Sequence, residues 1–402
     1  MALMPVADAL QAVLDGVKAL PAESVALDDA FHRTLAHDVV ALRTQPPADM
    51  SAMDGYAVRV ADAELNATLK LIGEVAAGKP FAGRVGANEA VRIFTGGVVP
   101  DGADTIVIQE DTQASGNAVI IKEGAQANRH IRKAGIDFRE GDVLIAKGTL
   151  LTDRDLALAA SANHPRLDVH KRPKVAVLAT GDELVMPGST TGPGQIVYSN
   201  GYALRALARH AGAEVVDLGI AADTMDATSA AIRRASELKA DVLVTTGGAS
   251  VGDHDLVKRA LESEGTQMAF WRIAMRPGKP MMSGKLNTMR ILGVPGNPVS
   301  SYVCSLLFLV PLIRALSGRA ACDHPQESAI LGRDLPANDM RQDYLRARLD
   351  TDSQGQLRAT PVDHQDSSLM ANLARADALI IRPPHAPASA KGASVSILRL
   401  PR

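Results

Sequence analysis

Three apolar runs of strand length, each closed by a polar loop that carries glycine, constrain the fold of this chain more than any other feature. Lys174-Val175-Ala176-Val177-Leu178-Ala179 runs into Thr180-Gly181-Asp182-Glu183. Asp241-Val242-Leu243-Val244 runs into Thr245-Thr246-Gly247-Gly248-Ala249-Ser250-Val251-Gly252-Asp253-His254-Asp255, and Arg290-Ile291-Leu292-Gly293-Val294 into Pro295-Gly296-Asn297-Pro298-Val299-Ser300. Continuous rather than alternating apolarity belongs to strands covered on both faces, as in parallel sheets. Glu214–Leu218 adds a fourth strand. Helix-periodic stretches span Tyr202–Ala211, Ala227–Leu238, Leu256–Glu264 and Val299–Leu316, so residues 174–322 are expected to form a doubly wound α/β domain with a parallel sheet. Ligands of open α/β sheets collect outside the carboxyl ends of the strands, and the three loops are expected to share one crevice.

The loops carry the chemistry. Adjacent Gly247 and Gly248 let backbone N–H groups turn toward one anion, and the carboxylates beyond them can hold a divalent cation beside it. The plainer alternative is a turn in which Asp253 caps the next helix. Gly296 is free to take a positive φ, Asn297 is pushed toward extended backbone by Pro298 and can cap, and Pro298 suits the first helical position. That helix then aims its amino terminus at any ligand. Asp182 and Glu183 sit where a strand ends, as metal or turn residues. Arg272, Arg276 and Lys279 lie close together around Pro277-Gly278. A planar fork plus a point charge suits a tetrahedral dianion, with solvated surface charge as the alternative.

These strings, in this order, closely resemble the molybdopterin molybdenumtransferase family, the MoeA and gephyrin E-domain type. The likeness extends to Ser51-Ala52-Met53-Asp54-Gly55-Tyr56-Ala57, Arg92-Ile93-Phe94-Thr95-Gly96-Gly97, Gln109-Glu110, His130-Ile131-Arg132 and Gly135-Ile136-Asp137. It covers nearly the whole chain and is thinnest in the last quarter. What it implies is insertion of molybdate into adenylylated molybdopterin with release of AMP, with Mg2+ as cofactor and molybdate as substrate. It also implies a homodimer in which Asp54, Thr95 and Asp137 come from one subunit and the α/β loops from the other. Transient contact with other cofactor-biosynthesis or molybdoenzyme proteins goes with such a role.

The resemblance assigns catalytic work to Asp54, Thr95, Asp137, Glu183 and Asp255, and the metal to Asp253, Asp255 and Glu183. Gly247, Gly248, Ser250, Pro295, Gly296, Asn297, Pro298 and Ser300 would cradle phosphate or pterin. Arg272, Arg276, Lys279, Arg346 and Ser367 would hold molybdate. No side chain is an obvious covalent nucleophile, since substrate sulfur binds the metal. Two departures stand out. Members commonly carry Lys-Pro-Gly-Lys where this chain has Arg276-Pro277-Gly278-Lys279, and often an aspartate where Tyr198 precedes Ser199-Asn200. Two other activities stay open: nucleotide transfer of the molybdopterin adenylyltransferase type, and a gephyrin-like scaffold without catalysis.

Pattern changes divide the remainder. Residues 1–45 read as helical, then extended, up to Pro46-Pro47, which breaks regular structure. Short alternating runs from residue 50 to 137 read as a small β domain. The resemblance implies that it is an insertion (49–138) within an N-terminal α+β segment of dimerisation type (1–48 and 139–173). After the α/β, molybdopterin-binding type domain comes a C-terminal β domain (323–402).

At 402 residues and 46% hydrophobic the chain can bury several cores, in keeping with a multidomain α/β plus β architecture. A formal net charge of −2 gives no basic footprint for nucleic acid, and 3% aromatics leave no stacking platform for single strands. Any anion site must therefore be local. Cys304 and Cys322 lack metal-type spacing and fit a reducing compartment, so the cytoplasm is expected. Asp8 and Asp15 interrupt an amphipathic first helix, unlike a signal peptide. The apolar run Tyr302–Ile313 is expected to be too short for a bilayer, and no membrane partner is expected.

Overall fold

The computed structural model describes residues 3–76, 78–247, 256–270 and 272–401. Its central sheet has the order Glu214–Ala221, Lys174–Thr180, Val242–Thr246, Met289–Val294, Met282–Leu286, Gln267–Phe270. The first four strands are mutually parallel, and the last two join antiparallel. The expected parallel sheet is thus present, extended on one edge by two strands that the sequence pattern did not reveal. The inner of the two, Met282–Leu286, forms a tight hairpin with Met289–Val294, Met282 opposite Gly293 and Leu286 opposite Met289.

Both faces of the parallel strands are covered. Val175, Val177, Val242 and Val244 pack with the helices Asn200–His210 and Pro298–Leu316, while Ala176, Leu178 and Leu243 pack with Met225–Glu237 and Leu256–Ser263. This two-sided burial is the reason these strands read as unbroken apolar runs. Chain order reverses between Lys174–Thr180 and Val242–Thr246, since the strand after the first lies on one side and the next on the other. The carboxyl ends of those two strands flank the crevice left by that reversal.

The helix from Pro298 to Leu316 is not uniform. Val310 N–H bonds back to Ser305 C=O, a π turn over Ser305–Leu309. Pro311 lies just beyond, lacks an N–H, and would press its ring on the turn before it, which the wider turn relieves. At 19 residues this helix is long and apolar enough to cross a bilayer, which corrects the expectation of a run too short to do so. It is a core helix because 83% of it is buried inside the protein.

Further sheets lie outside this domain. Ala22–Ala26 pairs with Arg166–His170, and Val39–Val40 with Val143–Ile145, so segments far apart in sequence lie side by side. Six strands between Gly55 and Ile121 form a separate sheet over its own cores. Beyond residue 326, Gln342–Thr351, Leu357–Pro361, Glu327–Leu331, Ser394–Arg399 and Ala378–Arg382 close on themselves, the last strand returning to the first. Met275–Arg276 adds to this ring in parallel, pairing with Gln342 and Asp343, and so stitches it to the α/β domain.

Candidate functional site

At the carboxyl edge of the central sheet the strand ends touch. Gly247 has φ +93°, a left-handed value that disfavours other residues, and a Cβ there would collide with the carbonyl of Thr180. A Cβ on Gly296 would lie 3.7 Å from Gly247 Cα. Thr180, Gly247 and Gly296 therefore gather at one place, as the shared crevice requires. Gly296 itself is not in the positive-φ region, contrary to expectation. Its role is close approach, while Gly247 makes the turn.

Asn297 stands at the N-cap position with extended φ −62° and ψ 126°, and Pro298 opens the helix. Its side chain does not cap, however. Asn297 Nδ2 donates to Ser367 Oγ at 2.9 Å, and Val299 N–H donates to the Ser367 carbonyl at 3.0 Å. Ser367 is thereby drawn to the helix mouth. Pro295 and Ser300 are buried behind it, and Gly296 and Asn297 are exposed at its lip.

Of the acidic residues, Asp182 and Asp223 are locked to each other's backbone, Asp223 N–H to Asp182 Oδ1 at 3.0 Å and Asp182 N–H to Asp223 Oδ2 at 3.4 Å. Asp182 is therefore a turn residue. The exposed Glu183 carboxylate folds over Gly181 at the crevice and is available to a cation. Among the described residues no three His, Cys, Asp or Glu side chains converge as a metal site. Gly248, Ser250, Asp253 and Asp255 lie outside the described residues.

In the small β unit, Asp54 Oδ1 accepts from Thr95 N–H at 2.7 Å and from Thr95 Oγ1 at 2.8 Å. These two bonds hold the Asp54 carboxyl below its ordinary pKa, so it stays ionised. Asp137 is exposed and donates its N–H to the Gln45 carbonyl at 3.1 Å. Among the described residues no hydrogen bond or ion pair joins Asp54, Thr95 or Asp137 to the α/β loops within one chain.

The cations expected to hold molybdate separate into distinct environments. Arg276 Nε donates to Asp343 Oδ1 at 2.8 Å and its Nη2 to Asp343 Oδ2, with Asp339 and Asn338 beside it. Its fork is occupied by carboxylate within the chain, so its charge is balanced by Asp343. Asp339 in turn is lowered to about 2, chiefly by its bond from the Arg341 side chain. The exposed Lys279 ammonium meets no acceptor among the described residues. Arg272 lies on the same segment, its carbonyl accepting from Met4 N–H at 3.1 Å.

Arg346 is the most unusual group in the protein. It is fully buried on the strand Gln342–Thr351. Nη2 donates to the carbonyls of Asp366 at 3.1 Å and His364 at 3.4 Å, while buried Nε and Nη1 find no partner among the described residues. Burial depresses its pKa, opposed only by the nearby Asp366. Gln365 clamps the backbone beneath it, accepting from Arg346 N–H and donating to Arg346 C=O, both at 2.9 Å. Buried donors without acceptors are costly, and a buried cation without a contacting carboxylate is a place for an anion. Ser367 follows directly in the chain.

Several residues in this arrangement escaped the sequence reading: Asp343, Gln365, Thr246, Ser301 and Asn200. Asn200 Nδ2 donates to Thr246 Oγ1 at 3.0 Å and to Gly296 C=O at 2.7 Å. None bears a local signature, since each acts on a partner distant in the chain. Tyr198, buried beside Arg205, packs where a side chain on residue 201 would stand, which only glycine permits.

Three family models match the chain in succession: the MoeA N-terminal region (domains I and II) over residues 4–163, a probable molybdopterin binding domain over 176–315, and the MoeA C-terminal region (domain IV) over 328–400. A Haemophilus influenzae protein named molybdopterin molybdenumtransferase is 36% identical over 361 residues, 89% of each chain. A Bacillus subtilis protein of the same name is 36% identical over 404 residues, covering 98% of this chain and 94% of its own. The solved structure of a molybdopterin biosynthesis MoeA protein from Pyrococcus horikoshii superposes with a TM-score of 0.85 at 30% identity, over 99% of both chains.

Proposed function

Because the chain belongs to the molybdopterin molybdenumtransferase family, whose members insert molybdenum into molybdopterin, we propose that it takes the pterin in adenylylated form and releases AMP as molybdate is consumed. Cleavage of the phosphoanhydride consumes one water and yields AMP and the phosphorylated pterin, while the two dithiol sulfurs replace one oxide of molybdate, which leaves as water with the two thiol protons and no change of oxidation state. The protein contributes placement and charge rather than a covalent nucleophile.

Gly247 and the segment Pro295–Ser300, with Gly248 and Ser250, cradle phosphate or pterin at the strand ends. Arg346, Lys279 and Ser367 address the oxyanion. The observation that carries this reading is the buried Arg346 guanidinium, two of whose nitrogens lack acceptors among the described residues, beside a serine held at the helix mouth. Glu183 fits a Mg2+ ion shared with Asp253 and Asp255, which supplies charge neutralisation at the phosphoanhydride.

Asp54, Thr95 and Asp137 belong to the site through a homodimer, since among the described residues no hydrogen bond or ion pair ties them to the α/β loops of their own chain. Exposed Phe31, Leu42 and Val143 on the N-terminal unit, with Ile136 at the end of the inserted β unit, support such an interface. Two free cysteines fit the cytoplasm, and release of the product entails transient contact with proteins that use it.

The test is AMP release by purified protein given adenylylated molybdopterin, Mg2+ and molybdate. Release requiring both ions is expected. Release as fast without molybdate refutes coupling of cleavage to insertion.

A further inference from the structure

The ladder between Val242–Thr246 and Met289–Val294 ends at the pair Thr246 and Val294. Beyond it no ladder bond joins the chains, one running into Gly247 and the next loop, the other into Pro295-Gly296-Asn297, although a Cβ on Gly296 would lie only 3.7 Å from Gly247 Cα. Asn200, the first residue of the helix Asn200–His210, ties the two together with one amide nitrogen, 3.0 Å from Thr246 Oγ1 and 2.7 Å from Gly296 O.

The amide orientation is settled by its partners. A carbonyl can only accept, so the group facing Gly296 O is the NH2 of Asn200. Its bond to Thr246 leaves the threonine hydroxyl proton to point elsewhere, with Ser301 Oγ at 3.5 Å. A trans peptide is planar with C=O and N–H opposed. Pulling the Gly296 carbonyl toward Asn200 therefore turns the Asn297 N–H away from it, in a stretch where Gly296 and Asn297 are both exposed. Among the described residues that N–H meets no acceptor. It stands at the amino end of a long buried helix, where partial positive charge favours an anion.

We propose that Asn200 is a positioning residue that sets the distance between the two strand-end loops and aims the Asn297 N–H at the substrate's phosphate. Asn200 itself contacts no reacting atom. This rests on the reading of the crevice as the phosphate-cradling site. It gives a function to a side chain that otherwise reads as the start of a helix, and it predicts that Thr246 and Asn200 act as one unit.

The experiment compares Asn200→Ala, Thr246→Val, Thr246→Ser and the double variant Asn200→Ala with Thr246→Val, all in the full chain. For Asn200→Ala and Thr246→Val, kcat/KM for the adenylylated pterin falls on the order of 10-fold to 100-fold, the scale of a misplaced binding group. The thermal midpoint drops by no more than about 4 °C, as for loss of one or two partly exposed hydrogen bonds. Thr246→Ser, which keeps the acceptor, retains wild-type kcat/KM, and the double variant is no worse than Asn200→Ala alone.

Equal impairment of Thr246→Ser and Thr246→Val overturns the proposal, as does Asn200→Ala within threefold of wild type. Equilibrium binding of inorganic pyrophosphate gives a readout without turnover. If wild-type protein shows no molybdate-dependent reaction, the assigned activity fails, yet at least tenfold weaker pyrophosphate binding by Asn200→Ala still supports the clamp. Unchanged pyrophosphate binding refutes it.

Discussion

Arg276 grips Asp343 with two prongs across the junction of the α/β domain and the last sheet, with Nε 2.8 Å from Oδ1 and Nη2 on Oδ2. The parallel pairing of Met275–Arg276 with Gln342–Asp343 sets the two side chains at the same level of one sheet. Asp343 is 3% exposed whereas the Arg276 side chain is 46% exposed, so the two partners are not equivalent.

Removing either partner tests that asymmetry. Arg276→Met strands a buried carboxylate and is expected to cost about 3 kcal/mol, whereas Asp343→Asn leaves a half-exposed guanidinium and costs about 1 kcal/mol. Denaturant titration of both variants measures the difference, and equal losses would show that the pair is solvated. Because Asp343 occupies the fork, Asp343→Asn is also expected to strengthen rather than weaken molybdate binding.

Arg346→Met separates stability from function. A buried cation with unmet donors destabilises the fold, so a side chain of similar length without charge should leave the unfolding midpoint unchanged or raised. Molybdenum insertion should fall at least about 100-fold, since a buried donor set aimed at an oxyanion has that scale of effect. A variant that loses stability while keeping turnover would reassign Arg346 to structure.

Tyr198 and Gly201 are expected to behave as a steric pair. Gly201→Ala places a methyl group against the Tyr198 hydroxyl and should cost about 2 kcal/mol, in the range for overpacking a core. Tyr198→Phe removes a buried hydroxyl that makes no hydrogen bond of good geometry among the described residues, with Arg205 as a nearby donor, and should be neutral or mildly stabilising. Thermal unfolding of the two single variants decides it, and loss of stability in Tyr198→Phe would reveal a hidden bond.

His324 makes stability depend on mild acid. Its Nε2 lies 2.6 Å from the Leu306 carbonyl within the π turn, and burial lowers its pKa from 6.5, aided by Arg314. Below pH 6.5 the unfolded chain takes up this proton while the folded chain still resists it. Protons bound are then fewer in the folded state, so stability present above 6.5 is lost as pH falls below that value. The drop in unfolding midpoint between pH 7.5 and 5.5 should shrink in His324→Gln, whose amide can still donate to Leu306. An identical drop would place the dependence on other groups.

Much of the α/β domain was legible before any coordinates. Strands covered on both faces leave unbroken apolar runs, and Gly247, Asn297 and Pro298 mark their places through backbone geometry. The edge strands Gln267–Phe270 and Met282–Leu286 were not seen, because Met-Ser-Gly-Lys-Leu neither alternates nor runs apolar. The π turn was hidden as well, since helical periodicity is little disturbed by one extra residue.

The site divides along the same line. Sequence alone determined which residues can bend, cap and carry charge: Gly247 at the turn, Pro298 at the helix start, and arginines near the crevice. Only the tertiary structure decided what each charge meets. Arg276 and Arg346 are alike as letters, yet one is neutralised by Asp343 and the other is buried with donors unspent. The cause is physical: turn geometry is set by neighbours a few residues away, whereas the worth of a charge or an amide is set by burial and partners. Those partners lie 67 residues from Arg276 and 96 from Asn200.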